Sequence, residues 1–239
     1  MNALLLSAGF GTRLGSITKS KPKCLVKINK QTLIDIWIKK LKNTEINKIY
    51  INTHFMSNLV KAHIHKYHKE NKKIIIIEEN KILGTSNTIR KNINLFKKEK
   101  LLLIHTDNYT NFNINYLINS DKKKPRNCGL TMLSFITNQP EKTGTLFMNE
   151  DKVLSKYFHK DSKSLSKMGN GAIYILSKKF LKNYELEFKN DYDFSKDIIP
   201  KQLGKAYIYK TKSFYIDIGD PISLKLARKW GKKNKYLLK

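Results

Sequence analysis

Apolar and polar positions change rhythm repeatedly along this chain of 239 residues, short apolar runs giving way to helically spaced segments and back again. The runs at residues 3–7, 48–52, 73–77 and 101–105 have the length and composition of buried strands. Between them the apolar residues fall on single helical faces. Leu33, Ile34, Trp37, Ile38 and Leu41 form one such face, Leu59, Val60, Ile64 and Tyr67 a second, and residues 86–96 a third segment. This alternation predicts an α/β fold, a Rossmann-like mixed, mostly parallel sheet with flanking helices. Trp37 and Tyr67 read as core. The second half predicts strands at 128–136, 172–177, 206–210 and 214–217, short helices near Leu181 and Ile198, and a basic helix from Pro221 to about Trp230. No linker rich in Pro, Gly or Ser divides the chain, which reads as one domain.

The most informative polar segment interrupts this pattern right after the first strand. Ser7-Ala8-Gly9-Phe10-Gly11-Thr12-Arg13-Leu14 is followed by Lys21-Pro22-Lys23. Glycines at 9 and 11 let a backbone take positive φ and approach an anion, so that amide N–H groups point at phosphate oxygens. Arg13 adds a planar donor fork and Lys23 a compact charge. A P-loop is excluded, because its two glycines are separated by four residues and precede Lys-Ser/Thr. A dinucleotide loop would place its third glycine at Leu14 and an acidic residue at a strand end about 20 positions on. Asp35, the one candidate, falls inside an amphipathic helix.

A formal net charge of +28 raises the question of nucleic acid. Basic residues are spread along the whole chain, however, and only Arg13, Arg90, Arg126 and Arg228 are arginine, the usual reader of bases and phosphates. No specific nucleic-acid partner is expected, and lysine runs such as Lys122-Lys123-Lys124 read as solvated faces. Cys24 and Cys128, the only cysteines, fit a reducing compartment and exclude a four-cysteine zinc site. No run reaches the roughly 18 apolar residues of a membrane span, so a cytoplasmic location is expected. His63, His65 and His68 crowd one helix with no evident carboxylate beside them and read as solvated.

The loop and the segments beyond it resemble the sugar-1-phosphate nucleotidyltransferases. The similarity runs through Ser7 to Leu14, then Thr18, Pro22-Lys23, Leu25 and Ile28, and continues at Leu83-Gly84-Thr85, Asp107-Asn108, Asn170-Gly171-Ala172 and Asp217-Ile218-Gly219. The resemblance implies the nucleotide-diphospho-sugar transferase type of fold, with a nucleotide-binding half at about 1–110 and a sugar-phosphate-binding half at about 111–239. It implies attack of a sugar 1-phosphate on the α-phosphate of a nucleoside triphosphate, with release of pyrophosphate. Arg13 and Lys23 would then be catalytic. Ser7, Ala8, Gly9, Gly11, Thr12, Arg13, Glu79, Gly84 and Thr85 would hold the nucleotide, the missing side chain of Gly84 leaving room for the base. Lys23, Gly144, Lys160, Asn170 and Gly171 would hold the sugar phosphate, and Asp107 and Asp217 would bind Mg²⁺. Relatives often carry Glu-Lys where this chain has His159-Lys160.

The segment with Glu78-Glu79 before Leu-Gly-Thr resembles guanylyltransferases for mannose 1-phosphate or a manno-heptose 1-phosphate, which makes GTP the expected donor. Cytidylyl, uridylyl or thymidylyl transfer stays open at this point. So does a basic nucleic-acid-binding protein without catalysis, although such a protein has no need of two metal-ready carboxylates. A metal-dependent glycosyltransferase is the third reading, against which Asp107-Asn108 lacks paired aspartates.

Overall fold

The computed structural model of the chain describes residues 1–160, 162, 164 and 166–234. Its segments gather into two compact units that are interleaved along the sequence. The first unit takes Ala3–Ile82, His105–Phe112 and the chain from Phe214 on, and the second takes Met1–Asn2, Leu83–Ile104 and Asn113–Ser213.

In the first unit the strand Asn2–Leu6 runs parallel to Ile49–Thr53, with Leu4 opposite Tyr50 and Leu6 opposite Asn52. Ile49–Thr53 is in turn parallel to Ile74–Glu78. Ala3, Leu4 and Leu5 are fully buried, as consecutive residues of a parallel strand covered on both faces must be. The helix Leu33–Lys42 opens on a capping box in which Thr32 Oγ1 accepts from the Asp35 amide and Asp35 Oδ2 accepts from the Thr32 amide. It buries the five apolar residues that its periodicity marks. Trp37 is completely enclosed, and its indole N–H donates to the carbonyl of Asn108 at 3.0 Å. The helix Ser57–His68 buries only Val60 and Ile64. Tyr67 is therefore not core. It sits in the last turn, 61% exposed, with its ring 4.7 Å from that of His63.

The end of the chain completes this unit. Asp220 caps the helix Pro221–Lys233 by accepting from the Ser223 amide at 2.7 Å, with proline in the first turn where its missing N–H costs nothing. Leu224 and Ala227 of that helix enter one core cluster with Leu14, Val26, Ile28, Leu33, Ile36, Tyr109 and Ile218. Trp230 stacks on Phe214 with ring centroids 4.4 Å apart and planes 10° apart.

The second unit is mainly antiparallel. Met168–Leu176 pairs antiparallel with both Leu101–His105 and Leu130–Ile136, and Leu130–Ile136 runs parallel to Ala206–Lys210. The antiparallel pair Thr145–Met148 and Leu154–Phe158 is a pairing that the sequence pattern did not reveal. Leu154 is its one buried residue in the second strand, and Ser155 and Lys156 are exposed, so no apolar run marks it. The α/β class expected, with a mixed sheet and flanking helices, is the fold observed. No described helix is long and apolar enough to cross a membrane.

Candidate active site

The carboxyl end of the first strand carries a network that fixes the loop after it. Ser7 donates its amide to Asn52 Oδ1 at 2.7 Å, and Asn52 Nδ2 donates to Glu79 Oε1 at 3.0 Å. Ser7 Oγ donates to Thr106 Oγ1, which itself donates to the Leu6 carbonyl. Three strand ends are thereby joined through Asn52, a residue that sequence reasoning did not single out. Its signal was available, as a polar residue closing a predicted strand in a fold that binds ligands at strand carboxyl ends.

The two glycines of the loop behave differently. Gly11 adopts φ 68°, and a Cβ there would meet Lys23 Cβ at 3.0 Å and Thr18 Cγ2 at 3.1 Å, so both conformation and close approach require glycine. Gly9 does not take positive φ and has open space where a Cβ would point, which corrects the expectation of left-handed backbone at both. Thr18 Oγ1 donates to the Gly11 carbonyl and closes the turn. Arg13 is exposed, and its guanidinium lies against Gly219, where a Cβ would stand 3.2–3.3 Å from its atoms.

Lys23 follows Pro22, whose φ of −66° and ψ of 150° lead into a single turn of 3₁₀ helix. Its ammonium group donates to Asp107 Oδ2 at 2.7 Å and lies 3.9 Å from Asp217 Oδ1. The two aspartates meet because Asn108–Thr110 and Tyr215–Asp217 form an antiparallel pair, Asp217 opposite Asn108, with the Ile218 amide donating to the Asp107 carbonyl at 2.9 Å. Burial opposes ionisation of Asp107, but the charges of Lys23 and His105 outweigh it and hold the carboxyl below its ordinary range. Asp217 goes the other way, pushed up by partial desolvation and by the neighbouring Asp107 against the pull of Lys23 and Arg13. Two carboxylates that share one cation and repel each other form a set of hard oxygen donors suited to Mg²⁺. The residues present therefore fit the expected metal.

The other residues singled out from the sequence lie in the second unit. Gly84 takes φ 84° at the start of the helix Thr85–Lys91, and the space beside it is filled by the ring of Tyr192. That corrects the picture of an empty face left for a base. Thr85 Oγ1 accepts from the Phe194 amide at 2.7 Å. Asn170 is 7% exposed and its side chain is fully engaged. Nδ2 reaches the hydroxyls of Tyr174 at 2.7 Å, Ser195 at 3.2 Å and Tyr157 at 3.4 Å, while Oδ1 accepts from the Ala172 amide. The Asn170 amide donates to the Gly144 carbonyl, and a Cβ on Gly144 would run into Tyr157. Gly171 lies where the ladder is irregular, with the Leu133 carbonyl 2.9 Å from a would-be Cβ. Lys160 is exposed on a turn, and its carbonyl is 3.1 Å from His159 Nδ1.

Against known proteins, the family model described as Nucleotidyl transferase matches residues 2–230. The chain belongs to that family. A protein of Sulfolobus acidocaldarius provisionally named mannose-1-phosphate guanyltransferase is 24% identical over 226 residues, covering 92% of this chain and 60% of its own. A glucose-1-phosphate adenylyltransferase of Clostridioides difficile is 25% identical over 248 residues, covering 94% of this chain and 64% of its own. The chain thus spans under two thirds of the length of these curated relatives. Among solved structures, two of HddC from Yersinia pseudotuberculosis, one of them complexed with GMP-PN, superpose with a TM-score of 0.79 at 24% identity, over 96% of this chain and 98% of that one. The likeness establishes a nucleotidyl transferase fold.

Sequence reasoning also missed the tie on Asp35. His63 Nε2 and His68 Nε2 both bond Asp35 Oδ1, at 2.8 and 2.7 Å, so these histidines are not simply solvated. Their partner was hidden because it lies on another helix, 28 and 33 residues away in sequence. Cys24 and Cys128 are free and buried, as expected of structural thiols, and burial pushes the Cys24 thiol up to about 12.

Proposed function

We propose that this nucleotidyl transferase family member transfers a nucleotidyl group, preferentially guanylyl, from a nucleoside triphosphate to a sugar 1-phosphate. The observation that carries the reading is the Lys23 ammonium held between Asp107 and Asp217 beside a loop with a left-handed glycine at 11. In the reaction a sugar-phosphate oxygen forms a bond to the α-phosphorus while the bond to the bridging β-oxygen breaks and pyrophosphate leaves. Such a displacement needs positioning and neutralisation of developing charge. Lys23 is assigned to the α-phosphate and the incoming phosphate, and Arg13 to the leaving β- and γ-phosphates. Asp107 and Asp217 would hold Mg²⁺, which supplies charge neutralisation at the phosphates when bound.

Ser7, Ala8, Gly9, Gly11, Thr12, Glu79, Gly84 and Thr85 are assigned to the nucleotide. Gly144, Lys160, Asn170 and Gly171 are assigned to the sugar phosphate. With its side chain and its amide engaged internally, Asn170 contributes by shaping the strand beside Gly144 and Gly171. The preference for GTP is supported by the Glu78-Glu79 segment and by relatives whose names speak of guanylyl transfer or of a GMP-PN complex. Adenylyltransferases among the relatives make ATP the competitor to beat.

A matrix of nucleoside triphosphates against several sugar 1-phosphates, read by pyrophosphate release at equal subsaturating concentrations, tests both levels. A wrong base that leaves one buried polar group unpaired costs about 1–3 kcal/mol, so GTP should win by roughly tenfold or more. A tenfold win by another triphosphate removes the guanylyl assignment. Absence of pyrophosphate release with every pair removes the transferase.

A further inference from the structure

Asp35, His63 and His68 form a cluster that the proposed reaction does not use. We propose that these three side chains form a second metal site, specific for a zinc-like transition metal, that staples the helix Leu33–Lys42 to the helix Ser57–His68. Both imidazoles point Nε2 at one carboxylate oxygen, and the three ligand atoms all lie within 4.8 Å of one another. Zinc bonds of about 2.0–2.2 Å to nitrogen and oxygen place tetrahedral ligands roughly 3.4 Å apart. The two N···O distances of 2.7–2.8 Å need open by about 0.6 Å to admit the ion, and the two Nε2 atoms, within 4.8 Å of each other, settle to the same spacing.

The surroundings of the trio suit this role. Asp35 Oδ2 is held by the Thr32 amide and the Asp35 amide is tied to Thr32 Oγ1, so the helix cap orients the carboxylate and leaves Oδ1 for the ion. Outer hydrogen bonds of this kind are what fix ligating carboxylates. The His63 ring is further braced by Tyr67, which explains an exposed aromatic at that position. Side-chain exposures of 13, 19 and 23% for His63, His68 and Asp35 shelter three ligands and leave a fourth position open to water. Two imidazoles and one carboxylate select zinc, copper, nickel or cobalt over Mg²⁺, which prefers oxygen throughout. Binding at Nε2 moves the proton of each neutral ring to Nδ1, or releases it to solvent from an imidazolium, with no change of oxidation state.

The test uses the full chain with excess Mg²⁺ present to occupy Asp107 and Asp217, and its readouts are independent of activity. Calorimetric titration with Zn²⁺ should show one site per chain, and Zn²⁺ should raise the melting temperature. Co²⁺ should give the intense visible bands of a four-coordinate ion. His63→Gln and His68→Gln retain an amide donor to Asp35 but lose the imidazole. Each should weaken Zn²⁺ binding by about tenfold or more, while a merely hydrogen-bonded tie would be little affected. Zn²⁺ binding unchanged in both variants, or a wild-type protein that binds neither Zn²⁺ nor Co²⁺, overturns the proposal. The wild-type Co²⁺ spectrum decides the matter even if a variant fails to fold, since weak six-coordinate bands would exclude the site.

Discussion

Lys23 and Asn170 are each the hub of a polar cluster, one in each unit, and they are built on opposite plans. Asn170 is buried, neutral and saturated, its amide shared among Tyr174, Ser195, Tyr157 and the Ala172 backbone. Burial pushes the Tyr157 and Tyr174 hydroxyls up, so they stay neutral donors and acceptors. Lys23 gathers charge, and its carboxylate partners keep 31 and 46% of their side-chain surface exposed. A cluster whose hydrogen bonds are consumed internally shapes a backbone, whereas one with spare oxygens and access to solvent can receive a ligand.

The largest effect should come from emptying the charged hub. Asp107→Asn, Asp217→Asn and Lys23→Ala should each lower kcat by about 10²–10³-fold, the scale of one transition-state electrostatic contact, with circular dichroism unchanged. Chelation should abolish turnover in the wild type and Mg²⁺ should restore it. Full activity in both aspartate variants would break the contrast at its base.

A buried charged site in the second unit sharpens it. Asp121 has no exposed side-chain surface and bonds Lys100 at 2.5 Å, Lys124 at 2.7 Å and Thr131 at 2.6 Å. Burial opposes its ionisation, but Lys100, Lys124 and Thr131 outweigh it and lower its pKa. Its stabilisation is therefore present above the unfolded value of about 3.9 and is lost as pH falls through the folded one. Asp121→Ala should cost about 3 kcal/mol by chemical denaturation at pH 7, and Asp121→Asn should flatten the acid limb of the stability profile. A wild-type acid limb in Asp121→Asn would show that the charge is not what matters.

Asn170→Ala should destabilise by about 1–3 kcal/mol, because it strands buried hydroxyls and an amide. A normal melting temperature with a raised KM for sugar phosphate would instead make Asn170 a ligand group. The smallest effect belongs to the loop glycines. Gly11→Ala should cost about 1–2 kcal/mol from its left-handed backbone, and Gly9→Ala no more than about 0.5 kcal/mol. Equal losses would mean that the loop constrains both positions alike.

The parallel strands and Trp37 were legible because consecutive burial and helical spacing leave plain patterns. Gly11, Lys23, Asp107 and Asp217 were legible as residue types in a loop and at strand ends, although only the pairing of Asn108–Thr110 with Tyr215–Asp217 shows how two aspartates 110 positions apart meet. What sequence could not carry was partnership across distance. Tyr192 filling the face of Gly84, Gly219 cradling Arg13, and the Asp35 tie each join residues that no local period relates. The strand Leu154–Phe158 escaped for the opposite reason, since an edge with solvated Ser155 and Lys156 has no apolar signal.

The return of the last segment has a consequence for synthesis. The cluster that seats Leu14, just beyond the Gly11–Arg13 turn, also needs Ile218, Leu224 and Ala227. A chain emerging amino end first can form the parallel strands early, but the loop stays without its floor until the helix Pro221–Lys233 leaves the ribosome. Ordering of the turn that carries Arg13 thus waits for synthesis of the segment from Ile218 to Ala227, and a nascent chain stalled before Phe214 would hold the strands with Leu14 unseated.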